Sequence, residues 1–134
     1  MKALLPRIDQ VIRRHKKDWV RNGNVVTVDL KRTGRAQKVE LVRTDDRYIF
    51  RSVVLPATEV TKDDDRWRRI AYRAWRRNAS KELIIFAFDE NNSLIGLIEA
   101  PASTLDSEEI DLYIQTVAKE CDRFEYALTG EDVG

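Results

Sequence analysis

The sequence predicts an α+β domain: a five-stranded antiparallel sheet with three helices, in the order αβββαββα, as one unit over residues 1–134. Three observations carry this expectation. Three β-branched runs follow one another between Val25 and Leu55, separated only by short turn signals. The apolar run Leu83–Phe88 is followed by Asn91-Asn92 and a second strand, which spells a hairpin. The last third of the chain carries a complete set of helix-start signals ahead of a long apolar stripe.

The first helix is expected over about Pro6 to Trp19. Leu4, Leu5, Ile8, Val11, Ile12, His15 and Trp19 share one side, while Arg13, Arg14, Lys16 and Lys17 fall mostly on the other. Proline suits its first turn. The segment Arg21 to Asn24 breaks this pattern. Val25–Leu30 then reads as a strand, Lys31–Gly34 as a turn, Lys38–Thr44 as a second strand, Asp45-Asp46 as a reversal and Arg47–Leu55 as a third. Thr61 with Asp63, Asp64 and Asp65 opens a second helix, through a hydroxyl cap and a negative first turn that complements the helix dipole. That helix is expected to end near Asn78, with a stripe of Trp67, Ile70, Ala71, Ala74 and Trp75 opposite Arg66, Arg69, Arg73, Arg76 and Arg77.

Lys81–Glu90 is expected as a strand apolar on both sides and therefore covered on both, its second side by the second helix or by another subunit. Together with the charge split along the chain, this predicts a homodimer with a two-fold interface built mainly from the second helix and the neighbouring strands. Asn91 and Asn92 supply the positive dihedrals of the turn, and Ser93–Glu99 returns. Leu105 staples Ile110, and Asp106 with Glu109 forms a capping box. The stripe Ile110, Tyr113, Ile114, Val117, Cys121, Phe124, Leu128 follows, Gly130 is expected to stop the helix, and Glu131–Gly134 to fray. The core drawn from these patterns comprises Ile8, Val11, Ile12, Val26, Val28, Leu41, Phe50, Val53, Ile70, Ile85, Phe86, Ile114, Val117, Cys121 and Phe124.

Composition narrows the function classes. The hydrophobic share is 43% and the charged share 35%, a globular balance. No apolar run approaches the ~20 residues of a membrane span, and the start MKALLPRIDQVIRR has neither a leader's apolar stretch nor its cleavage site, so no membrane contact is expected. The single cysteine excludes an internal disulfide and fits a cytoplasmic location; its place on the stripe predicts a buried, inert thiol. Residues 1–80 hold 21 Lys and Arg against 10 Asp and Glu, leaving +11, and residues 81–134 hold 3 against 13, leaving −10. Such a split marks either a nucleic-acid face or two faces of a domain that attract each other or a second copy.

No catalytic arrangement emerges. His15 is the only histidine and has no Ser, Cys or acid fixed beside it by local spacing, so it is expected to be half-buried and satisfied. One histidine and one cysteine cannot build the usual zinc sites, and Asp63, Asp64 and Asp65 point in different directions along a helix and serve as a cap. No glycine loop cradles a phosphate, and no cofactor is expected. The chain is therefore expected not to be an enzyme. The best candidate surface is the second helix, where Trp67, Ile70, Tyr72 and Trp75 with Arg69, Arg73 and Arg76 match the residue set of interface hot spots. The competing reading places both tryptophans on the domain's own sheet. A nucleic-acid interface is the alternative function, with basic clusters at Arg13–Lys17, Lys31–Arg35 and Arg66–Arg77, and Tyr48 or Phe50 as stacking groups.

The element order, together with GRAQKVELVRTDD from Gly34, YIFRSVV from Tyr48, SLIGLIEAPASTLDSEEI from Ser93 and AKECDRFEYALTG from Ala118, resembles the YbjN family, whose fold is that of the type III secretion chaperones. The resemblance implies a bacterial protein with an antiparallel sheet packed on helices. It also implies a homodimer that binds an unfolded stretch of a protein partner, or a sensory or regulatory role, and no catalytic residues. Secretion chaperones are usually acidic, whereas this chain is balanced and its second helix basic. A general protein-interaction module, chaperone-like or a regulatory adaptor, is the function expected.

Overall fold

A computed structural model describes residues 4–80 and 82–132. The first helix, α1 (Leu5–His15), ends four residues before the expected Trp19, because Lys16 takes a left-handed backbone (φ 52°) that no helix continues through. A 3-10 turn over Lys16–Asp18 leads into β1 (Trp19–Asn22), a strand absent from the sequence reading. The apparent break at Arg21–Asn24 is its hairpin: Gly23 (φ +63°) and Asn24 turn the chain into β2 (Val25–Leu30), and Trp19 faces Val28. After β3 (Arg35–Thr44) and β4 (Arg47–Leu55) comes a second unexpected element, the single turn α2 (Ala57–Val60).

The helix α3 (Asp64–Ala79) is capped by Asp63, whose carboxylate accepts from the Arg66 N–H at 2.7 Å. The hydroxyl of Thr61 instead donates to the Ala57 carbonyl and closes α2. Strand β5 (Ile85–Phe88) is much shorter than the expected Lys81–Glu90, whose first residue, like the end of the 131–134 tail, lies outside the described residues. It returns through Asn91-Asn92, of which Asn92 alone has a positive φ, into β6 (Leu94–Pro101). The last helix, α4 (Ser107–Asp132), passes through Gly130 without stopping there. Its start is as expected: Asp106 Oδ1 accepts from Glu109 N–H at 2.8 Å, Glu109 Oε1 accepts from Asp106 N–H at 3.2 Å, and Leu105 and Ile110 are buried. Arg7 of α1 ties this cap down by donating to the Leu105 carbonyl.

The described residues thus form six strands and four α-helices rather than five and three. The sheet is antiparallel throughout, in the order β1-β2-β3-β4-β6-β5. Helix α4 lies across β4, β3 and β6 on one face, α1 packs beside it against β1, and α3 rests on β5. Period-two alternation puts Val26, Val28, Val39, Leu41, Tyr48, Phe50, Leu94 and Ile98 on that face, fully buried with Ile114, Val117, Cys121 and Phe124 of α4.

Two expected core residues are not in the core. Val53 is 49% exposed and Ile85 53%, because both point to the other face of the sheet, which no helix among the described residues covers. Within one copy of the chain the second apolar side of the Leu83–Phe88 segment is not covered by α3, since β5 is an edge strand with one sheltered face. Ile12 is half-buried at the margin of the core.

Candidate interaction surfaces

Helix α3 sorts its residues by angle. Trp67, Ile70, Ala74 and Arg77 fall along one seam at i, i+3, i+7 and i+10, and this seam meets the domain. Ile70 and Ala74 are buried, and the Trp67 ring sits edge-on to Phe88 with centroids 6.4 Å apart. Arg77, assigned from sequence to the opposite, solvated face, turns inward. Its guanidinium lies 4.3 Å from the Phe124 ring centroid and 5.9 Å from that of Phe86, and burial pulls its pKa below the ordinary arginine value. Phe86 and Phe124 themselves meet edge to face at 4.8 Å.

Trp75 lies eight positions beyond Trp67, a rotation about 80° past two whole turns at ~100° per residue, which carries it off the seam. It is 64% exposed and stacks on Tyr72, itself 56% exposed, with ring centroids 6.1 Å apart. Arg76 lies over the Tyr72 ring at 5.9 Å, and Arg68 and Arg69 are exposed on the same helix. Of the seven residues nominated from sequence, Tyr72, Trp75, Arg69 and Arg76 are at the surface, and Arg73 is half-buried. Ile70 belongs to the domain's own core, and Trp67 is partly sheltered by it.

The open face of the sheet carries the second apolar side of the Leu83–Phe88 run. Cross-strand register brings Ala87, Ile95 and Val53 into one row and Ile85 and Leu97 into the next. This apolar end gives way to Arg51, which pairs with Glu40 at 2.7 Å on the neighbouring strand, and to the Arg47–Glu99 pair at 3.4 Å. The signal available in sequence was the doubly apolar Leu83–Phe88 run, which demands a cover that three helices on one face do not supply.

The outer edge of β5 is partly closed. The Asn78 side chain accepts from the Phe86 N–H and donates to the Phe86 carbonyl, both at 2.8 Å, occupying the backbone groups that an added strand would need. Tyr48 and Phe50, the stacking pair considered for nucleic acid, are 4% and 0% exposed on the covered face and meet no external base. His15 is half-buried as expected, with its ring stacked on Trp19 at 3.7 Å, but an acid does reach it: Nε2 is 3.0 Å from both oxygens of Asp111, across 96 residues of sequence. Cys121 is buried, and burial pushes its thiol up to about 12. Among the described residues no three His, Cys, Asp or Glu side chains converge as a metal site, and no helix is long and apolar enough to cross a membrane.

No protein-family model matches the chain, and no curated protein matches its sequence. Solved structures do match it in fold. A chain of the ExsC-ExsE complex superposes with a TM-score of 0.51 at 15% identity, over 69% of this chain and 68% of the other. A chain of the heterodimeric ExoU-SpcU complex, from the type III secretion system of Pseudomonas aeruginosa, gives 0.53 at 12% identity, over 78% and 82%. A chain of the HopA1-SchA chaperone-effector complex gives 0.49 at 9% identity, over 80% of each. The first two establish a shared fold, an α+β arrangement with an antiparallel sheet.

Proposed function

We propose that this protein is a non-enzymatic, cytoplasmic protein-interaction module, chaperone-like or a regulatory adaptor, that works as a homodimer and binds a protein partner or an unfolded segment of one. The observation that carries this is the exposed Tyr72–Trp75 stack within an arginine rim on α3. Large rigid aromatics flanked by arginine are the composition of interface centres, and a monomer gains nothing by holding them in water. The apolar end of the open sheet face and the basic-to-acidic split along the chain support it, because the arginines of α3 in one copy complement the acidic α4 of another. The ExsC-ExsE and ExoU-SpcU structures, matched in fold above, are two-protein complexes, which favours a protein partner by analogy. The resemblance to the YbjN family favours a regulatory or sensory adaptor over a dedicated secretion chaperone. Nucleic-acid binding is the lesser reading, since its stacking pair is enclosed.

Light scattering on the wild-type chain at about tens of micromolar tests this, and a dimer mass is expected; standard interfaces of this kind bury ~800 Å² per partner. Trp75→Glu should give a folded monomer, because the charge is stranded in a desolvated patch only in the dimer. A monomer mass for the wild-type protein, or a Trp75→Glu protein that remains dimeric, overturns the assembly.

A further inference from the structure

At the end of the sheet away from α3, a groove of about 560 Å³ opens between β2, the turn that follows it, and α4. Its floor is apolar: Trp19 and Val28 are buried and Leu30 half-buried. Its walls carry Lys31, Arg32, Arg35, Lys119 and Arg123 against Asp18, Asp29 and Asp122. Two of the three carboxylates are already neutralised. Asp122, 4% exposed, receives both Arg35 Nε and Nη2 at 2.8 Å, and Asp18 is paired with Lys31 at 3.2 Å. Arg32 has no partner among the described residues, and Lys119 reaches only the Gln115 amide at 3.5 Å. The wall is also rigid: the forked bond to Asp122 fixes the Arg35 guanidinium, which lies 4.8 Å from the ring of Tyr126, an aromatic 62% exposed on the rim. Arg123 is paired with Glu120 at 3.2 Å, so Arg32 and Lys119 against Asp29 leave the residual charge positive, and the size is that of a ligand cleft.

We propose that this groove binds an extended acidic segment of a partner polypeptide. One apolar or aromatic side chain of the segment rests on the Trp19 floor beside Tyr126, and carboxylates on either side of it meet Arg32 and Lys119. The proposal rests on the protein-interaction reading above and deepens it by naming the chemistry of the partner.

The test is fluorescence anisotropy of the full-length protein with a rhodamine-labelled decapeptide alternating glutamate and leucine around a central phenylalanine, and with the same peptide carrying glutamine for glutamate. The acidic peptide should bind about tenfold or more tightly than the neutral one, and the double variant Arg32→Glu, Lys119→Glu should erase that preference. Raising salt from about 0.05 M to about 0.5 M should weaken the acidic peptide selectively. Both positions are exposed, so circular dichroism of the double variant should match wild type; Tyr126→Ala provides a charge-neutral second probe and should weaken both peptides. Equal affinity for the two peptides, or a preference that survives the double charge reversal, overturns the assignment. Light scattering on the same samples separates the two ideas. A dimer indifferent to the acidic peptide defeats the groove alone, and a monomer that binds it through Arg32 and Lys119 defeats the dimer alone.

Discussion

A single methyl group added at Gly96 tests the packing of α4 on the sheet. Gly96 sits in the middle of β6 opposite Ser52 on β4 and Phe86 on β5, with its α-hydrogen facing α4. A Cβ there runs into Cys121 Sγ well inside contact distance, and comes within 2.9 Å of Ile84 Cδ1 and 3.0 Å of Phe86 Cε1. Carbon pairs rest at about 3.5–4.0 Å, so two side chains must retreat by roughly half an ångström or more and the sulfur further. All three, Ile84, Phe86 and Cys121, are buried, at 2%, 5% and 0% exposure. Gly96→Ala should therefore cost about 2–3 kcal/mol, the upper part of the overpacking range. Urea denaturation reads this as a midpoint lowered by about 1–2 M for a slope near 1.5 kcal/mol/M. Cys121→Ala removes the worst clash while leaving the other two, so Gly96→Ala should be about 1 kcal/mol less harmful in that background. A Gly96→Ala cost under about 0.5 kcal/mol, or strict additivity in the double variant, would refute this account of the α4–β6 contact.

Phe124→Ala should cost about 4–6 kcal/mol, combining a fully buried ring with its edge-to-face partner Phe86 and the Arg77 cation above it; a loss below about 1 kcal/mol would place α4 in a different register. Asp106→Ala removes one arm of the capping box and should cost about 1 kcal/mol in the same assay, with Asp106→Asn recovering most of it. Cys121 should resist thiol reagents at mildly alkaline pH until the protein unfolds. Its folded thiol titrates near 12 against an ordinary 9.0, so above pH 9 the unfolded state releases a proton that the native state keeps. Stability should be unaffected by this group below pH 9 and fall as pH rises from 9 towards 12, by up to ~1.4 kcal/mol per pH unit. In Cys121→Ala that alkaline slope should be reduced, leaving the smaller share of Tyr113, because burial also pushes its phenol above the ordinary value.

The elements that sequence determines are those whose causes are local. The turns at Lys31–Gly34 and Asp45-Asp46 and the capping box of α4 each depend on residues within a few positions, and all are present. The α4 stripe is equally legible, because i, i+3 and i+4 spacing places Ile110, Ile114, Val117, Cys121, Phe124 and Leu128 on one side whatever they meet. The candidate site was half legible: Tyr72, Trp75, Arg69 and Arg76 were found by residue type, but which of the two tryptophans faces outward depended on a rotation that only packing against Phe88 fixes.

What tertiary structure decided is exposure and pairing at a distance. Val53 and Ile85 have the composition of core residues, yet a strand side chain is buried only if something covers its face, and the helices all lie on the other one. Trp19 continues a helical stripe on paper, but Lys16 ends α1 with a positive φ, and register with Val28 makes Trp19 the first residue of a strand. The Arg35–Asp122 pair that shapes the groove joins residues 87 apart, and the Asp111 carboxylate that meets His15 is 96 away. No local spacing encodes such partners, because they are set by how the sheet and α4 come together.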